Sequence, residues 1–299
     1  MSTATFSLAD ATVLAHAQMS RIARDRGIRA LSVKGPIAEV YALRPPRTSA
    51  DADVLIDPAR HVEFCAVLEG LGWHTRIGRE TPSLIPQHST TYIHPAWPCD
   101  IDVHWMFPGF FADAAVAFEA LWASRRVVTI AHAPVDAPSK AGTAVVMALH
   151  AARDLRSPRH KEEKELVSAA LAGSFTADER QEFADIARVG GGTWVLRDLL
   201  VEAGLGPVDV DIDDESRRLW ELFSNRVEDA SSVAWWRQIR AARWWQKPRW
   251  LLRAVWVVRQ DVPRNDPAVL PSWGETTAYQ WQRWVRGMGA TLRYVRRAR

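Results

Sequence analysis

Ala52-Asp53-Val54-Leu55-Ile56, entered through Ser49-Ala50-Asp51 and closed by Asp57-Pro58, reads as a β-strand with a stop behind it. Residues i and i+2 of a strand share a face. Asp51 and Asp53 therefore point the same way, and two such carboxylates repel unless a cation lies between them. Asp100-Ile101-Asp102-Val103-His104-Trp105 repeats the pattern farther along the chain. If the two strands are neighbours, three or four carboxylates converge into a site for a hard divalent cation, with Mg²⁺ the default where phosphates are handled. A single Asp-x-Asp at a strand start is also ordinary turn chemistry, so the surrounding order of features matters.

Upstream, the apolar spacing of 8–26 predicts a helix and 28–33 a short strand. Lys34-Gly35-Pro36 follows: glycine allows a tight turn and proline starts a helix, 37–41. Arg44 to Ser49 breaks regular structure. Downstream, Asp57 caps a helix over 59–71. Strands are expected at 72–77, 90–94 and 99–105, then a helix at 113–124 and a strand at 127–131. The alternation β-α-β-α-β-β-β-α-β predicts a mixed sheet carrying helices, an α/β (α+β) domain over 1–135. From Lys140 onward almost only helix signals appear, at 140–154, 160–173, 176–188, 193–203, 214–227, 230–246, 249–259 and 275–296. A mainly helical domain is expected over 136–299.

The chain of 299 residues is 47% hydrophobic and 24% charged, which excludes a disordered chain and leaves room for about two domains. No run of uncharged apolar residues is long enough to span a bilayer, and residues 1–6 lack the pattern of a signal peptide. Cys65 and Cys99 lack metal-ligand spacing and are expected as buried small residues. A cytoplasmic protein is expected. Charge is unevenly placed: residues 235–299 hold 14 Lys and Arg against 3 Asp and Glu, a local +11, while the rest carries −8. Nine of the 15 tryptophans lie in that same tail.

Taken together, Lys34-Gly35 after a strand, Arg47 ahead of Asp51-Ala52-Asp53, and Asp102-Val103-His104-Trp105 resemble the nucleotidyltransferase superfamily typified by DNA polymerase beta, and more closely its branch of uncharacterised nucleotidyltransferases. The resemblance covers 28–105 well and the helical half weakly, at His150 and the 271–294 tail. Where the broad superfamily favours Gly-Gly or Gly-Ser, this chain has Gly35-Pro36, and its path from Gly35 to Asp51 is longer than the superfamily usually shows. The resemblance implies Mg²⁺-dependent transfer of a nucleoside monophosphate from an NTP, with ATP as the expected one, to an acceptor with release of pyrophosphate. It implies that Asp51, Asp53 and Asp102 are catalytic metal ligands. Amides around Gly35, with Lys34 and Arg47, would hold phosphates. His104 shares a face with Asp102, so it either touches this site or packs as a strand histidine. Repulsion within the acid cluster predicts that Asp53→Asn abolishes turnover, leaves the fold intact and raises the stability of the metal-free chain.

Other features carry two readings each. His150 and Asp154, spaced i, i+4, share a helix face that either approaches the cleft or is an ordinary edge pair. Residues 160–165 read as an exposed helix face, Gly190-Gly191-Gly192 as a helix-to-helix turn and Trp105 as core. In the tail, Trp235, Trp236, Trp244, Trp245, Trp250 and Trp256 interleave with Arg237, Arg240, Arg243, Lys247, Arg249, Arg253 and Arg259. This pattern suits a single-stranded nucleic acid, an anionic membrane surface, or tryptophan packing beneath solvated arginines. The acceptor is expected to be a small molecule or peptide. The alternatives are an RNA end, as in toxin-like nucleotidyltransferases, or a non-catalytic binding module that keeps the fold.

Overall fold

The computed structural model describes residues 7–76, 87–155, 157–206, 210–224, 239, 242–257, 259, 262 and 270–297. The chain divides into two compact units, Met1–His74 with His88–Trp220, and Thr75–Gln87 with Glu221–Arg299.

The first unit opens with α1 (Leu8–Asp25), capped by the Ser7 hydroxyl, which accepts from the Asp10 amide. Its elements continue as β1 (Ala30–Val33), α2 (Gly35–Val40), β2 (Asp51–Ile56), α3 (His61–Gly70), β3 (His74–Thr75), β4 (Ser89–Ile93) and β5 (Asp100–His104). After α4 (Ala114–Ala123), β6 (Arg126–Ile130) and β7 (Ala133–Ala137) form a separate two-stranded sheet. The helices α5 (Lys140–Ala152), α6 (Pro158–Gly173), α7 (Ala177–Val189), α8 (Thr193–Glu202) and α9 (Asp214–Ser224) follow.

The main sheet runs β1-β2-β5-β4-β3. It is mixed: β2 is antiparallel to β1 and parallel to β5, and β5 is antiparallel to β4. Alternation along β2 separates two cores. Ala52, Val54 and Ile56 join Ala15 and Met19 of α1 with Phe64 and Leu68 of α3. Leu55 faces the other way with Leu31 and Val33, into the core of α5 and its neighbours. α5 is buried on nearly every side because it packs against α2, α6, α7 and α8. Its run of Ala, Val, Met and Leu permits this, since an all-round apolar helix is one with neighbours all round. The acid-bearing face of β2 thus looks toward helices supplied from much later in the sequence.

Several expectations shift. The 133–139 stretch, read as the place where the pattern changes, contains β7, paired with β6. Trp105 is half-buried, with its ring centroid 4.5 Å from that of His61. Cys99 is buried, but Cys65 is half-buried, its Sγ 3.4 Å from His61 Nε2. Trp235, Trp236, Arg237 and Arg240 lie outside the described residues.

Candidate active site

β2 and β5 run parallel in a register that sets Asp51 beside Asp100 and Asp53 beside Asp102. Asp53 is 5% exposed. Its Oδ1 accepts from Lys34 Nζ at 2.7 Å and from His104 Nε2 at 2.9 Å. Burial alone would push this carboxyl up, but the Lys34 ammonium and the His104 hydrogen bond outweigh it and hold the group well below the usual carboxylate range. Asp102 is half-buried and its Oδ1 accepts from Thr91 Oγ1 at 2.5 Å. Asp51 behaves oppositely: burial, then the charges of Asp53 and Asp102, push it up to about 6.

Ligand atoms of Asp53, Asp102 and His104 lie within 4.8 Å of one another. Asp51 stands at the start of the strand, outside that group yet near enough to be repelled by it. His104 is buried and holds Asp53. Its other ring nitrogen, Nδ1, has no hydrogen-bond partner among the described residues.

The turn ahead of α2 is tightly built. Lys34 has φ +58° and Gly35 φ +42°, both in the left-handed region that L side chains resist. A Cβ on Gly35 would stand 3.0 Å from Nε2 of His16 on α1. His16 is buried, and that burial lowers its pKa to about 4, so it is neutral near pH 7. Sequence reasoning missed His16 because its position looks like any other on a helix face; only the fold brings it to the turn.

A cavity of about 360 Å³ opens beside this turn. Lys34, Gly35, Arg47, Asp51 and Asp53 line one side, and Met147, His150, Arg159, His160 and Glu163 the other. Asp102 and His104 are not among its lining residues. His150 therefore reaches the cavity, while Asp154 is buried and does not line it. The reading of 160–165 as an exposed face fails at Glu163, which is 5% exposed. Its Oε1 accepts from Arg47 Nη2 at 2.5 Å, and its Oε2 accepts from His150 Nδ1 at 2.8 Å. Although burial works against it, these partners hold Glu163 down at about 2. Burial carries His150 the other way, to about 4, so its ring is neutral near pH 7.

In the second unit, the helices Lys247–Val255 and Trp273–Arg297 carry the described part of the basic tail. Trp244 and Trp245 are exposed and meet edge-on, with the Arg243 guanidinium 5.3 Å from the Trp245 ring. Arg259 lies 4.9 Å from the ring of Trp273. At these positions tryptophans are exposed beside arginines rather than packed beneath them. Among the described residues no helix is long and apolar enough to cross a membrane.

No curated protein sequence matches the chain. Among solved structures, the solution structure of the antibiotic-resistance factor ANT(2'')-Ia is similar at 19% identity, with a TM-score of 0.39, over 60% of this chain and 91% of that one. An antigenic nucleotidyltransferase-like protein from Paracoccidioides brasiliensis is similar at 11% identity, with a TM-score of 0.39, over 67% of this chain and 95% of that one. The model of the family described as uncharacterised nucleotidyltransferase matches residues 1–164. That match takes in more than half of the chain, from α1 through both strands that carry the aspartates to the residue after Glu163, and the chain belongs to the uncharacterised nucleotidyltransferase family.

Proposed function

We propose that this protein transfers a nucleoside monophosphate from an NTP, with ATP the expected donor, to a small-molecule or peptide acceptor, releasing pyrophosphate. Family membership supports nucleotidyl transfer in general. The observation that carries the specific reading is the parallel register of β2 and β5, which sets Asp102 beside Asp53 on the face of β2 whose Asp51 and Asp53 line the cavity.

The donor set fits a hard divalent ion such as Mg²⁺. All three groups are carboxylates; burial raises Asp51 most, the charges of Asp53 and Asp102 raise it further, and a cation there relieves that second part. Asp51, Asp53 and Asp102 would hold the ion. When bound, it supplies charge neutralisation for the triphosphate and acidifies the acceptor hydroxyl. The chain's own residues do the rest. Lys34, Arg47 and the amides after Gly35 bind phosphate oxygens. Asp102, steadied by Thr91, accepts the proton of the acceptor hydroxyl. His104 keeps Asp53 oriented. The ammonium of Lys34, now on Asp53, is placed to exchange that carboxylate for a phosphate oxygen when nucleotide and ion arrive.

The cavity is near the small end of the range for small-molecule sites, about 300–1,000 Å³. The test is thermal stability of the full chain with each of the four NTPs, with and without Mg²⁺, because a ligand bound only to the folded state raises apparent stability. At least one NTP should shift the midpoint in a way that requires Mg²⁺. A wild-type chain unmoved by all four would reject the reading.

A further inference from the structure

We propose that the second unit carries a docking surface for an anionic membrane. On it, exposed tryptophan and aliphatic side chains of the Lys247–Val255 and Trp273–Arg297 helices enter the headgroup boundary, and the basic residues among them meet lipid phosphates. The proposal goes beyond nucleotidyl transfer and does not depend on it.

From Arg243 to Arg259 the sequence holds five Lys and Arg, four Trp, and no Asp or Glu. The helix Lys247–Val255 buries none of its nine residues. Leu251, Leu252 and Val255, spaced i, i+1 and i+4, share one side of it, and Arg249 and Arg253, spaced i, i+4, share the opposite side. Leu252 is 70% exposed, and Leu251 and Val255 are exposed beside it. An apolar stripe opposite a basic one is made to be covered. The helix Trp273–Arg297 is turned the same way: Thr276 and Gln280 are buried, while Trp273, Trp281 and Val285 are exposed. Gln280 Oε1 accepts from the Val257 amide at 2.8 Å, and Gln280 Nε2 donates to the Val255 carbonyl at 2.7 Å. These bonds hold polar side chains inside and leave aromatic ones outside, the reverse of what water favours. Trp256 and Trp284 meet edge-on at 6.2 Å, so the apolar surface runs from one helix to the other. A continuous exposed apolar patch of this kind marks an interaction site.

The chemistry of the patch selects its occupant. Leucine and valine have no π face, so a single-stranded nucleic acid would use the tryptophans and leave Leu251, Leu252 and Val255 in water. A second copy of the same patch would set cations against cations with no acid between them. An anionic bilayer surface meets both halves. Tryptophan settles at headgroup level, aliphatic side chains reach the acyl boundary, and Lys and Arg gain from the negative surface potential. The Arg243 guanidinium beside the Trp245 ring, and that of Arg259 beside Trp273, pair charge with ring as such a boundary requires.

The test is co-sedimentation of the full chain with vesicles at about 0.15 M salt, where exposed charges are screened beyond about 8 Å. Vesicles of phosphatidylcholine with about one-third phosphatidylserine should pellet the wild type, and phosphatidylcholine alone should bind at least about tenfold more weakly. Binding should shift tryptophan emission to the blue, and lipids brominated on the acyl chain should quench it. Leu251→Ser with Leu252→Ser should weaken binding about tenfold or more, with an unchanged thermal midpoint, because both side chains are exposed. Lys247→Gln with Arg249→Gln should weaken it by a similar factor and remove the preference for phosphatidylserine. Wild type that stays in the supernatant with anionic vesicles overturns the proposal. So does a leucine double variant that binds as wild type does, since the contact would then be charge alone. Single-stranded RNA held at this salt by a chain that ignores vesicles would assign the surface to nucleic acid. Self-association that the leucine double variant abolishes, again without vesicle binding, would assign it to a second copy.

Discussion

Asp51 and Asp53 are two residues apart on one strand, yet the fold drives them in opposite directions. Asp51 is raised by burial and by its acidic neighbours, while Asp53 is compensated by Lys34 and His104. For Asp51 the folded pKa lies above the unfolded one. Its contribution to stability is therefore fully present below about pH 4 and is lost as pH rises through about 6. In EDTA, the unfolding midpoint should fall across that window, and Asp51→Asn should flatten the slope and stabilise the metal-free chain near pH 7. A variant with the wild-type slope would assign the repulsion elsewhere. Asp53 gives the reverse expectation, against the sequence-based one that its replacement raises the stability of the metal-free chain. Its depressed pKa stabilises the protein above pH 4, and Asp53→Asn breaks a buried ion pair. Such losses cost about 3–5 kcal/mol. Denaturant unfolding should show that destabilisation, and transfer should be lost as well; an Asp53→Asn chain with normal NTP-dependent activity would end the mechanism. At this scale the sequence showed the acids, because strand alternation sets their common face. It did not show their compensation, because Lys34 meets Asp53 only through the turn geometry, and Glu163 meets Arg47 across 116 residues of chain.

The turn between β1 and α2 is the element on which the proposed phosphate side of the site would depend. Gly35 sits at positive φ with His16 against the space where a Cβ would go. Gly35→Ala should therefore destabilise the chain by about 1–2 kcal/mol through backbone strain and raise KM for the NTP by shifting the α2 amides. Adding His16→Ala should remove the contact part of the cost but leave the strain, so the double variant should recover only partly. Full recovery, or no effect of Gly35→Ala at all, would show that the turn is not held by this backbone conformation. Glycine followed by proline made the turn legible in the sequence, since each residue has a local preference. The β6–β7 hairpin was only half legible. Val127 to Ala131 alternates as a strand should, but Ala133-Pro134-Val135-Asp136-Ala137 contains a proline and an aspartate that demote a strand. In the fold these five residues find β6 as a partner, and Val135 and Ala137 are fully buried.

Across the whole molecule, charge is divided between a body at −8 and a tail at +11. The sequence showed this division directly, because counting charges needs no fold. What it could not show was whether the tryptophans would be covered, and the exposure of Trp244, Trp245, Trp273 and Trp281 shows that these are not. Exposed aromatics beside arginines bind single strands by stacking and by phosphate contact, and that binding weakens steeply with salt. Labelled single-stranded RNA should therefore be retained by the full chain at low salt and released at moderate salt. Replacing Arg237, Arg240 and Arg243 together should flatten the slope, since each lost phosphate contact removes about one unit from it. A small or peptide acceptor makes a separate demand: its KM should change by less than about twofold over the same salt range and be insensitive to the triple change. If the acceptor's KM instead rises tenfold or more with salt, and the triple variant reproduces that rise at low salt, the tail belongs to acceptor recognition and the acceptor is polyanionic. The two slopes separate the alternatives because RNA retention reads binding without turnover, whereas the acceptor's KM follows the tail only if the tail takes part in acceptor recognition.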